Sequence, residues 1–236
     1  MTENVKNDEN LLKRIYCIDS EINSNNNLIL QSRQMIEENR SMILNNYASA
    51  FSGNNKFARV NTEEIYRNRN SIFLKIKTKD EHEKRFIEAE TNKANLDFLE
   101  HQSNINSINL QISKEMAEIN SKLIEINKKI MQANESIVSF NTRQLNHNKA
   151  LLEKKFDISK INEDENNAII QENKKKIEFL ENNEKINQEE LHILLNKSKE
   201  NSNSLLNNRK EILDRRSSIM SNRDTISVNK SKIFFG

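Results

Sequence analysis

Between residues 170 and 233 the hydrophobic positions recur every seven residues. Steps of seven from Ile170 reach Ile177, Glu184, Leu191, Ser198, Leu205, Ile212, Ile219, Ile226 and Ile233, and eight of these ten are Ile or Leu. With this row as position a of a heptad abcdefg, the d row is Asn173, Leu180, Asn187, Leu194, Asn201, Asn208, Arg215, Asn222 and Asn229. Six of nine are asparagine where a second apolar row belongs. A sustained seven-residue repeat predicts a left-handed supercoil of two or more helices. At the rise of an α-helix this section is a rod of ~95 Å.

The N-terminal segment repeats the pattern. Ile15, Ile22, Ile29, Ile36 and Ile43 form its a row, and Ile18, Asn25, Ser32, Asn39 and Asn46 its d row. Asn-Arg followed by Ile three residues on from the Arg marks the seam at Asn39, Asn68, Asn208 and Asn222. Between 45 and 69 the register slips by one residue, with Tyr47, Phe51 and Phe57 clustered around Gly53. Asn61-Thr62-Glu63-Glu64 has the composition of a helix start. The pattern therefore predicts an interruption near 47–60, either a loop bulging from the rod or a chain-reversing turn. The middle is apolar in both rows, from Met116 and Ile119 to Ile137 and Phe140, with stutters around 112–116 and 141–152. Residues 155–167 are the least regular and form a second candidate hinge. The expected segments are 1–46, a loop at 47–60, 61–154, a hinge at 155–167, and 168–236.

Composition supports an all-α reading. The 236 residues include no proline, no tryptophan and only two glycines, so residues that make tight turns are scarce. Hydrophobic content is 35%, low for a compact globular domain. Asparagine, at 40 residues, is nearly one in six. Codon bias can raise its frequency but not set its phase. Lys and Arg number 37 against 35 Asp and Glu, a balance that argues against nucleic acid as partner. No apolar run approaches the ~20 residues of a membrane span. His82, His101, His147 and His192 share no i, i+4 spacing that would suggest a metal site. Cys17, the single cysteine, adjoins the core residue Ile18 and is expected to be a packed thiol rather than a nucleophile. Paired acids such as Glu189-Glu190 need a cleft to do chemistry, and a rod offers none, so the expectation is a protein that is not an enzyme and carries no cofactor.

An unpaired amide buried in a seam costs roughly 1–3 kcal/mol. Six such layers would exceed the ~5–15 kcal/mol stability of an ordinary domain. The amides at Asn39, Asn173, Asn187, Asn201, Asn208, Asn222 and Asn229 must therefore be satisfied. In a parallel threefold assembly they would meet on the axis and hold a chloride ion or water; in a looser assembly the row would be wet. Such layers also fix register, because a polar core residue disfavours misaligned pairings.

The Ile-then-Asn repeat resembles the stalks of trimeric bacterial adhesins and, over 170–233 and more weakly 15–46 and 61–72, the phage whisker proteins called fibritins. The resemblance implies a long, segmented, parallel coiled coil, homotrimeric, serving as a fibre or whisker-like part of a phage neck or tail. Its partners would be other virion proteins, with no nucleic acid or membrane. The opening MTENVKNDEN has neither the basic nor the apolar region of an export signal, which suits a virion assembled in a host cytoplasm. Phe234 and Phe235 at one end, and Tyr47, Phe51 and Phe57 at the interruption, are the candidate docking residues. The alternatives are a cellular coiled-coil scaffold in the cytoplasm, or a single-chain antiparallel helical bundle acting as a binding module.

Overall fold

The computed structural model describes residues 2–153 and 162–235. Among these the structure is helical, with no strand. Helix α1 spans Thr2–Tyr47, a π-helical segment spans Ala48–Asn55, α2 spans Lys56–Lys75, α3 spans Glu81–Leu152 and α4 spans Glu163–Phe235.

The expected interruption at 47–60 is neither a loop nor a turn. Tyr47 and Lys56, which flank the π-helical segment, both have right-handed helical dihedrals (φ −59°, ψ −49° and φ −60°, ψ −47°). The chain passes from α1 to α2 without changing direction. Gly53 lies inside this helix and has nothing within 4 Å of where a Cβ would stand. Asn61 and Thr62 do not begin a helix: both are interior to α2, and Thr62 Oγ1 donates to the Ala58 carbonyl four residues back. The acids that suggested a first turn belong instead to a charged helix face.

The chain does break at 76–80, which the heptad pattern did not reveal. The signal there is an N-cap aspartate. Asp80 is extended (φ −72°, ψ 129°), and its Oδ1 accepts from the backbone N–H groups of His82 and Glu83, both at 2.9 Å. Thr78 Oγ1 accepts the Asp80 N–H at 3.1 Å and donates to the Glu83 carboxylate. Glu81 and Glu83 add negative charge at the positive end of the helix dipole. The second expected hinge, 155–167, falls largely outside the described residues; α4 is established from Glu163.

The chain divides into two units, Met1–Ile72 with Asp164–Gly236, and Phe73–Glu163. In the second unit the N-terminal half of α3 carries a stripe of half-buried positions at helical spacing, with Ala94 4% exposed. Beyond Met116 almost every residue is exposed, including Ile119, Ile126, Ile130, Ile137 and Phe140. The segment with the most apolar heptads is thus among the least covered.

The first unit pairs α1–α2 with α4. From position 14 to position 68 the d and g positions of α1–α2 are mostly turned inward: Ile18, Asn25, Ser32, Asn39, Asn54, Asn61 and Asn68 are buried, while Leu28, Met35 and Met42 are half-buried. Along α4 it is the a row that turns inward, with Ile177, Leu191, Ser198 and Ile226 buried and the other a residues half-buried. Cys17, one residue from buried Ile18, is exposed, with Sγ 3.8 Å from Glu21 Oε1. The expectation of a packed thiol fails because adjacent helix positions diverge by about 100°.

Candidate functional site

The first unit is held by a ladder of asparagine amides. Nδ2 of Asn25 donates to the main-chain carbonyl of Glu184 (3.1 Å), Asn39 to Ser198 (2.8 Å) and Asn46 to Leu205 (2.9 Å). The ladder continues with Asn54 to Ile212 (2.8 Å), Asn61 to Ile219 (2.8 Å) and Asn68 to Ile226 (3.3 Å). Each acceptor is an a residue of α4. Its carbonyl also belongs to the backbone ladder of its own helix, and a carbonyl oxygen has two lone pairs. A d-position amide therefore needs no side-chain partner. It bonds sideways to the backbone of the next helix, so each of these asparagine N–H groups is satisfied; the layer between Asn25 and Asn39 has no such bond, and the buried Ser32 hydroxyl is unpaired there.

The separation between donor and acceptor sets the direction. It is 159 residues at Asn25, Asn39 and Asn46, and 158 at Asn54, Asn61 and Asn68. A constant difference means that the two helices run parallel; an antiparallel pair would show a constant sum. In this unit α1–α2 and α4 are thus not the limbs of an antiparallel hairpin.

The change from 159 to 158 locates the extra residue. Eight residues separate Asn46 from Asn54, whereas seven separate Leu205 from Ile212. The π-helical segment Ala48–Asn55 lies at that step. Its wider turn absorbs one residue and returns the following asparagines to phase. The one-residue slip read from the sequence is this widening.

Flanking contacts join g positions of α1–α2 to e positions of α4. The Arg14 guanidinium pairs with Glu181 through two bonds of 2.8 Å, and Lys230 Nζ lies 3.2 Å from Glu64 Oε2. The Arg216 guanidinium sits 6.0 Å from the Phe57 ring centroid, within range of a cation–π contact. Hydrogen bonding to Arg14 holds the Glu181 carboxyl below the usual carboxylate range. Asn25 Nδ2 also reaches Glu184 Oε2 at 2.7 Å, so that layer differs from the others and labels the register.

Of the asparagines singled out by the sequence pattern, Asn39 is buried in this ladder (6% exposed). Asn173, Asn187, Asn201, Asn208, Asn222 and Asn229 are exposed within the chain. The heptad pattern gave Asn25, Asn39 and Asn46 the same d phase. Asn54 is found only by counting eight residues rather than seven, and Asn61 was masked by its likeness to a helix cap. Tyr47 and Phe51 stack at 5.5 Å between centroids and 6° between planes, on a helix side rather than in a turn. Phe234 is 52% and Phe235 92% exposed. Among the described residues no group of three or more His, Cys, Asp or Glu is placed to hold a metal, and no helix is long and apolar enough to cross a membrane. No family model, curated protein or solved structure matches the chain.

Proposed function

We propose that the protein is a structural rod whose work is mechanical: it sets a distance and holds other components at its ends. The observation that carries this reading is the amide ladder. It repeats one contact from Asn25 to Asn68, a rise of about 65 Å, with both helices pointing the same way. A regular seam of this kind gives stiffness and defined polarity. The Ile/Asn repeat supports placing such a rod in a fibre or whisker-like part of a phage particle, attached to other virion proteins. Exposed Phe234 and Phe235, at the end of α4, are the residues we assign to docking, since exposed aromatics are frequent anchors at interfaces.

Two measurements test this. Solution X-ray scattering of the purified protein should give a maximum dimension of at least ~110 Å, the length of α4 alone; a value near 50 Å contradicts the rod. Sedimentation of a lysate that contains assembled particles should carry the protein with them. Replacing Phe234 and Phe235 by Ser should leave it in the supernatant with its helicity unchanged. If the wild-type protein never accompanies particles, the virion role is lost and a cellular tether remains.

A further inference from the structure

The ladder occupies only half of the core rows in the first unit. In α1–α2 the d row faces α4, leaving the a row half outside: Ile15, Ile29, Ile36, Ile43, Ile65 and Ile72 are 40–47% exposed. In α4 the a row faces α1–α2, leaving the d row outside: its asparagines are exposed, and Leu180 and Leu194 are 37% and 40% exposed. These two rows line the same open groove. Ile22 and Ile29 face Asn187 and Leu194 across it at one end, and Ile65 and Ile72 face Asn229 and Ile233 at the other.

The two lips of this groove match the two halves of the contact already made. Each ladder bond joins a d-position Asn to the carbonyl of an a residue on the neighbouring parallel helix. α4 carries a d-position Asn row of its own, and α1–α2 carries an a row of its own, isoleucine at sevens from Ile15 to Ile43 and again at Ile65 and Ile72, on either side of the π-helical segment. The unmatched donors of one chain and the unmatched a row of another are therefore complementary, and their interface continues the α1–α2/α4 seam. We propose that two copies of this chain associate in parallel, with the α4 asparagines of each donating to a-row carbonyls of the partner's α1–α2. The result is a ring of four helices in the order α1–α2, α4, partner α1–α2, partner α4. A twofold axis along the bundle closes it, so the same patch serves both copies. Isoleucine at a favours two strands only with leucine at d, and here the d rows are mostly asparagine, so the two-stranded pattern is not met.

The inference deepens the rod reading but can fail separately from it. A small scattering dimension defeats the rod, whereas a one-chain mass with full length defeats only the assembly. Sedimentation equilibrium of the full chain should return twice 27.7 kDa. The double variant Asn208→Lys, Asn222→Lys changes residues exposed within the chain, so it should keep its helicity and lose at least tenfold in dimer affinity. In a Cys17→Ser background, spin labels on Asn229→Cys should couple across the two copies of the dimer. A mass of one chain or of three chains, a double variant that still dimerises with wild-type affinity, or labels at Asn229 too far apart to couple each overturns the proposal.

Discussion

The amide of Asn39 donates to the main-chain carbonyl of Ser198 at 2.8 Å, 159 residues further along the chain. Both residues are buried, Asn39 6% and Ser198 3% exposed. The small Ser198 side chain turns back to the Leu194 carbonyl at 2.9 Å, leaving its own carbonyl oxygen able to accept from Asn39. In this layer neither helix presents a bulky side chain, and the two backbones are joined through a single amide.

That contact sets the cost of altering Asn39. Asn39→Ala leaves the Ser198 carbonyl within its own helix and should cost about 1 kcal/mol. Asn39→Asp replaces a donor with a buried carboxylate facing a carbonyl oxygen and should cost more, roughly 2–3 kcal/mol at neutral pH. Urea denaturation of the two variants checks the order. Equal losses would mean that Asn39 does not donate to α4.

Gly53 separates a continuous helix from a turn. It has room for a Cβ and no left-handed dihedral, so Gly53→Ala should stabilise the protein by about 0.5–1 kcal/mol. A glycine serving a turn would lose stability on the same change. Thermal melting of the single variant distinguishes them.

The start of α3 rests on Asp80. Asp80→Ala removes the acceptor of two backbone N–H groups and should cost ~1 kcal/mol. Because the second unit contains this helix, amide hydrogen exchange should quicken at His82 and Glu83 before it changes at Asn39 or Asn61. Uniform quickening would show that the effect is not one of capping.

Acid should loosen the first unit near Arg14. The Arg14 hydrogen bond lowers the Glu181 carboxyl, so the pair's contribution is fully present above the ordinary carboxylate pKa and fades as pH falls through the lowered value, from about pH 4 downward. The pair is substantially exposed, 32% and 40%, so solvent keeps the effect small. Glu181→Gln should remove this part of the acid dependence while leaving stability at pH 7 only slightly reduced. An unchanged acid limb in the variant would mean that other carboxylates control it.

The sequence made the helices, the heptad phase and the one-residue slip near Gly53 legible, because core spacing is written directly in the positions of Ile and Asn. It did not show which row meets the partner. A heptad has two core rows, and when two helices pair off-centre each turns only one of them inward: the d row at Asn39, the a row at Ser198. The d row of α4, from Asn173 to Asn229, carries the same chemistry as Asn39 but lies on the other side of its helix. The break at 76–80 was hidden because Asp80 and Glu83 resemble the acids of any charged helix, just as Thr62 and Glu63 resembled a cap without being one. In both places local composition was ambiguous, and the hydrogen bonds to neighbouring residues or to α4 decided the outcome.

The parallel pairing of α1–α2 with α4 is the central claim, and spin-label distances test it most directly. In a Cys17→Ser background, labels would be placed in pairs at positions 14 and 181, 64 and 230, 14 and 230, or 64 and 181, with labelled chains diluted in unlabelled protein so that only distances within a chain are read. The first two pairs should lie within ~20 Å, and the last two should be separated by roughly 70 Å, since 49 residues of helix divide Glu181 from Lys230. Short distances for 14 with 230 and for 64 with 181 would establish an antiparallel pair, and long distances for all four would dissolve the pair altogether; either result contradicts the account.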